Sequence, residues 1–214
     1  MVCYVSISMQ KRHIITISGK PGSGKSSTAD KVAELLGYTR YSSGDFVRAI
    51  VRKRHMSLAE FNEKAMTDHT IDEEIDEELR KLRNEKDIII DSRLGFYWIP
   101  ESFKVYLDLD MDVATVRIFK DMVSNAKRGS TESAQNIADV HKLVQERLKN
   151  EQERFQSLYG VNPYSRRHFD LVINTSRHSP QTVALTVFDS YKRWVQSETW
   201  KQEVSEAPLG FSLQ

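Results

Sequence analysis

The chain has 214 residues, enough for one domain with a core of its own, and its 31 Lys plus Arg against 30 Asp plus Glu leave a formal charge of +1. That balance removes the general electrostatic case for a nucleic-acid binder, and the single cysteine, Cys3, excludes an internal disulfide and a cysteine-based zinc site. No apolar run approaches the roughly 18 residues of a membrane span, and residues 1–10 lack the features of a signal peptide, so the expectation is a reduced, soluble, cytoplasmic protein.

In chain order, short β-branched runs alternate with stretches of helical period. HIITISG (13–19) reads as a buried strand ending in glycine, and residues 26–36 as a helix stopped by Gly37 at the C′ position. YTRYSS (38–43) is a second strand, followed by a helix over 45–55 with Asp45 as its candidate N-cap. Ile71, Ile75, Leu79 and Leu82 form one apolar stripe over 71–83. DIIID (87–91), KVYLDL (104–109) and DLVIN (170–174) bring the strands to five, their continuous apolar runs suiting a sheet covered on both faces. Helices over 112–126 and 136–159 form a pair joined by KRGSTES (127–133), and a last helix covers 181–195. Residues 196–214 show no period and, with 1–10, read as terminal extensions of a single domain at 11–195. The alternation predicts an α/β fold, a parallel sheet with helices on both faces and ligands at the carboxyl ends of its strands.

Directly after the first strand comes Gly19-Lys20-Pro21-Gly22-Ser23-Gly24-Lys25-Ser26, a full G-x-x-x-x-G-K-[ST] phosphate loop in its strand–loop–helix context, with Ser27 next. The glycines let backbone N–H groups wrap a phosphate, the helix adds its positive N-terminus, Lys25 reaches the β- and γ-phosphates, and Ser26 is a ligand for Mg²⁺. Pro21 stands where a dinucleotide-binding fingerprint needs glycine. The switch-protein pattern D-x-x-G is broken by Leu94, and the base-reading N/T-K-x-D is absent. The site is therefore one for a nucleoside triphosphate in a P-loop fold whose expected strand order is 2-3-1-4-5.

Two further strand ends carry charge. Ser43-Gly44-Asp45 and Arg48 follow the second strand, and Asp91 closes the third, with Arg93 just beyond. Asp91 is placed to hold Mg²⁺ or its water, and Arg48 with Arg93 can grip a second phosphate bidentately.

These stretches resemble nucleoside monophosphate kinases, most closely cytidylate kinases of the archaeal type. The resemblance runs through ITISGKPGSGKSS, YSSGDFVR, MSLAEFNEKA with TIDEEIDEEL, IIIDSRLGFYW, RLKNEQERFQSLYGVNP and FDLVINT, over roughly residues 14–193. It implies ATP as donor and CMP or dCMP as acceptor, with an acceptor-binding insert at 45–85 and a lid at 117–150. SGDFVR resembles the family's acceptor-holding motif, and DSRLG its D-G-R-L run with Ser92 in place of glycine. Lys25 stands where many archaeal members carry threonine, and of the lid pattern R-x-x-R-I-x-x-R only Arg117 is kept, Ala114 and Asp121 occupying the other two positions. Arg117, Arg128 and Arg147 are the expected arginines over the transferring phosphate. Arg154 shares a helical face with Arg147, with Glu151 between them. Asp72 and Asp76 read as a solvated face ahead of base readers. A monomer, with neither nucleic acid nor membrane as partner, completes the expectation; a kinase for AMP or another small acceptor, and a non-catalytic nucleotide-binding module, remain open alternatives.

Overall fold

In the computed structural model, which describes residues 12–57, 60, 61, 64, 68, 70–124 and 136–205, the apolar run after His13 forms β1 (Ile14–Gly19), buried along its whole length. Helix α1 (Lys25–Leu36) follows and ends on left-handed Gly37; then come β2 (Thr39–Ser42), α2 (Ser43–Lys53), α3 (Thr70–Leu82) and β3 (Ile88–Asp91). A one-turn helix, α4 (Gly95–Trp98), leads to β4 (Phe103–Asp108), α5 (Met111–Ser124), α6 (Ile137–Tyr159), β5 (Leu171–Asn174), α7 (Pro180–Gln196) and β6 (Glu203–Ser205).

The strands make one parallel sheet in the order β2-β3-β1-β4-β5-β6. The expected order of the first five strands holds, while their number is corrected to six. The added strand lies in the stretch read as an extension: Glu203 donates its backbone N–H to Asp170 O, and the Trp200 indole donates to the same carbonyl at 3.1 Å and packs against the core. A three-residue edge strand carries too little period to be seen in sequence.

Alternation along β1 splits the core. Ile15 and Ile17 face α1 and α7, packed with Val32, Val187, Tyr191 and Trp194, whereas Ile14 faces α3 and α4 with Leu79, Ile88 and Ile99. A third cluster, Tyr106, Val172, Phe96, Phe155 and Phe169, seats the far end of α6. Helix α2 starts two residues earlier than expected: Ser42 is the N-cap, its hydroxyl accepting from Gly44 N at 3.2 Å, and Asp45 sits in the first turn. The register pairs Ser42 and Ile17 with Asp91, and Gly19 with Leu107, so the ends of β1, β2, β3 and β4 open on one edge.

Candidate active site

At that edge β1 turns into the phosphate loop. Gly19 has φ 151°, and a Cβ there would lie 2.2 Å from Leu107 O on the neighbouring strand, so only glycine lets β1 pass so close to β4 as it turns. Gly24, left-handed at φ 81°, caps α1 without a side chain of its own, and Thr28 N is the first amide to bond back, to Gly24 O at 2.9 Å. The amides of Lys25, Ser26 and Ser27 therefore have no intrahelical acceptor, and the positive end of the helix opens on the loop.

Lys25 folds over this loop, donating to Gly19 O at 3.0 Å and Lys20 O at 3.2 Å. Burial, with Arg93 and Arg147 adding to it against Asp91 and Glu151, pushes its ammonium pKa down to about 8. A polyphosphate is the counter-charge such a half-buried cation calls for. Lys20 points elsewhere: its Nζ lies 2.6 Å from Asp108 Oδ1 at the end of β4. Burial raises the Asp108 carboxyl, but Lys20 and Arg166 outweigh it and hold the group below its usual range. Lys20 thus braces the loop with its side chain, and its backbone N–H donates to Leu107 O at 3.3 Å.

Ser26 donates its hydroxyl to Asp91 Oδ2 at 2.6 Å, which places a hydroxyl and a carboxylate oxygen within one metal's ligand shell. Among the described residues no group of three His, Cys, Asp or Glu could hold a metal. That donor set fits Mg²⁺, which takes one or two protein oxygens and completes its shell with phosphate and water. The same Asp91 oxygen is 3.2 Å from Arg40 Nη2.

Across the opening, Arg48 pairs with Asp45 one turn away on α2. Ser43 donates to Asp91 O at 3.4 Å, tying the start of α2 to β3. Arg93 is half-buried with its Nε 2.5 Å from Glu151 Oε2; Glu151 also accepts from Arg147 Nε at 3.1 Å and from the Tyr164 hydroxyl. Burial raises Glu151, but Arg93 and Arg147 prevail and hold its carboxyl at about 2; burial likewise lowers Arg93, and Glu151 and Tyr164 more than reverse it. Arg117 donates to carbonyl oxygens, Thr175 at 2.7 Å, Ser176 at 3.3 Å and Gly22 at 3.4 Å, and to the Thr175 hydroxyl at 3.4 Å, so it ties α5 to the phosphate loop and to the turn after β5.

A cleft of about 860 Å³ joins these groups. Pro21, Gly22 and Gly24 to Ser27 line it from the loop; Arg40, Ser43, Gly44, Arg48, Asp91 and Arg93 line it from the strand ends; Arg117 and Arg147 line it from the helical pair. Gly19, Lys20, Ser23 and Asp45 are not in its lining. Arg128 lies outside the described residues. Arg154 is turned to Asp72, 3.7 Å away, with its guanidinium over the Phe155 ring.

Asp72 and Asp76 correct the sequence reading, since both are buried rather than solvated. Asp76 accepts from Trp98 Nε1 at 2.8 Å and from the Tyr159 hydroxyl at 2.5 Å, which links α3 to α4 and to the end of α6. Burial raises its carboxyl despite those two donors. An acidic helix looks solvated until Trp98 and Tyr159, 22 and 83 residues away, are folded against it. Arg40, Asp108, Glu151 and Tyr164 also escaped sequence reasoning as members of the site, for Arg40 meets Asp91, Asp108 meets Lys20 and Glu151 meets Arg93 only once the chain is folded.

Residues 14–177 match the model of the cytidylate kinase-like family. A cytidylate kinase of Halobacterium salinarum is 35% identical over 182 residues, covering 83% of this chain and 88% of the relative. One of Natronomonas pharaonis is 34% identical over 177 residues, covering 81% and 86%. Among solved structures, shikimate kinase from Acinetobacter baumannii in complex with shikimate superposes with a TM-score of 0.61 at 16% identity, over 89% of this chain and 98% of that one; at such identity the likeness concerns the fold. With its phosphate loop, its sheet order and the match over residues 14–177, the chain belongs to the cytidylate kinase-like family.

Proposed function

We propose that this nucleoside monophosphate kinase transfers the terminal phosphate of ATP, assisted by Mg²⁺, to CMP or dCMP. The observation that carries the reading is the facing of two cationic sets across one cleft: the amides of α1 with Lys25 on one side, Arg48, Arg93 and Arg147 on the other. One set suits the donor's β- and γ-phosphates, the other the acceptor's phosphate. The choice of cytosine is supported by the cytidylate kinases of Halobacterium salinarum and Natronomonas pharaonis among the relatives.

In this scheme Ser26 and Asp91 would hold Mg²⁺, which supplies charge neutralisation on the donor phosphates. Gly22, Gly24 and the first turn of α1 wrap those phosphates, and Lys25 exchanges its two carbonyl acceptors for their oxygens. Arg48 and Arg93 turn the acceptor's phosphate so that one of its oxygens lies in line with the γ-phosphorus. That oxygen bonds to phosphorus as the bond to the ADP oxygen breaks. It is already anionic near neutral pH, the second pKa of a phosphate monoester being about 6, so no protein base is required. Catalysis then consists of alignment and electrostatics, with Arg147 entering from the lid side.

Coupled ADP-release assays against CMP, dCMP, UMP, AMP and GMP test the proposal. Release stimulated most by CMP or dCMP is the expected result. Stimulation by AMP or GMP alone would reassign the acceptor, and release that no acceptor stimulates would defeat the kinase reading.

A further inference from the structure

Arg40 has no part in the scheme above, yet it holds the carboxylate that the scheme gives to the metal. It leaves β2 on the side of α1 and is largely buried; its Nη2 lies 3.2 Å from Asp91 Oδ2, the same oxygen that accepts from Ser26. Two exposed carboxylates flank the guanidinium: Asp30 Oδ1 is 3.2 Å from its Nε, and Asp45 Oδ2 is 4.0 Å from its Nη1. We propose that Arg40 is the resident counter-ion of Asp91, a positioning residue that a divalent cation must displace and that swings to Asp30 and Asp45 when the cation enters.

Three physical points carry this. A guanidinium at hydrogen-bond distance from a carboxylate oxygen and a dication on that oxygen repel each other strongly in a half-buried cleft. Asp91, buried at the end of β3, would keep only the Lys25 ammonium as counter-charge without either, and the donor phosphates claim that lysine too, so one cation or the other is favoured there. Arg40 also has partners already in reach, so leaving Asp91 creates no unpaired charge. Arg48 competes for Asp45 from within α2, which leaves Asp30 as the main acceptor of the displaced group. The consequence is that arginine and metal exclude each other at Asp91, and the affinity for metal is set partly by a residue that never ligates it.

This inference rests on the metal-assisted reading of the site. Its test is Mn²⁺ binding followed by EPR on the full chain with a saturating non-hydrolysable ATP analogue, in wild type and Arg40→Gln, beside analogue binding in EDTA. Arg40→Gln should bind Mn²⁺ about tenfold more tightly, with metal-free nucleotide affinity within twofold of wild type. Exposed Asp30 supplies a second variant with little risk to folding: Asp30→Asn should weaken Mn²⁺ binding about threefold in wild type and leave it unchanged in the Arg40→Gln background. Equal Mn²⁺ affinity in wild type and Arg40→Gln, or an equal Asp30→Asn effect in both backgrounds, overturns the proposal alone. A fivefold or larger loss of metal-free nucleotide affinity in Arg40→Gln also overturns it, since Arg40 would then be gripping phosphate. Absence of Mn²⁺ binding in every protein overturns the metal site and this inference with it.

Discussion

Lys25 shows how one side chain can serve a site at the expense of the fold. Its pKa, brought down to about 8 chiefly by burial, means that the folded chain disfavours the charged lysine below that pH, while the unfolded chain, near 10.5, does not. Its contribution is therefore destabilising at neutral pH and disappears as pH rises past the unfolded value. Lys25→Ala should accordingly leave the melting temperature at pH 7 unchanged or higher, while lowering kcat/KM for the acceptor-stimulated reaction by about 10²–10³. Thermal melts and steady-state assays on the same preparation check both halves; a lower melting temperature contradicts the electrostatic account, and an unchanged rate contradicts the role. Gly19 makes the opposite case, a residue demanded by the backbone alone. With Leu107 O only 2.2 Å from a would-be Cβ, Gly19→Ala should lower the yield of soluble protein or the melting temperature by more than 10 °C, on the order of the cost of a strained and crowded backbone position.

At the level of elements, α6 is where the site is tied together. Glu151 on that helix gathers Arg93 from the β3 end, Arg147 from its own preceding turn and the Tyr164 hydroxyl, while Tyr159 at the helix end reaches Asp76 on α3. One helix therefore ties the end of β3 to α3. Glu151→Gln leaves the half-buried Arg93 beside a neutral partner and should cost about 2 kcal/mol. Because the Glu151 carboxyl sits at about 2 in the fold and near 4.3 when unfolded, its contribution is complete above pH ~4.3 and is lost as pH falls toward 2. Urea midpoints should thus separate wild type from Glu151→Gln fully at pH 7 and converge below pH 4; a gap constant with pH would mean that packing, not charge, accounts for the difference. Asp76→Ala strands the indole N–H of Trp98 and the hydroxyl of Tyr159 and should cost about 2–3 kcal/mol, read in the same experiment.

Over the whole molecule, the sheet is wider than the strand-and-helix alternation promised. Trp200 packs edge-on to Phe103, with ring centroids 6.0 Å apart, and its indole donates to Asp170 O just where β6 joins β5. Trp200→Ala should therefore cost about 2 kcal/mol in a denaturant titration and leave acceptor specificity unchanged, the edge being remote from the cleft in strand order. An altered acceptor preference would show that the sheet edge reaches the site. No helix among the described residues is long and apolar enough to cross a membrane.

Local features of the chain were enough for the phosphate loop, the first five strands, and Asp91 and Arg93 at the end of β3. Each of these is written within a few consecutive residues: a glycine spacing, a β-branched run, a strand end. Tertiary structure alone decided that Lys20 braces Asp108, that Asp72 and Asp76 are buried, that Glu151 holds two arginines, and that Arg40 sits on Asp91. The reason is physical. What a charged side chain does depends on which opposite charge the fold sets within a few ångströms and on how much water it removes, and neither is a property of neighbouring letters.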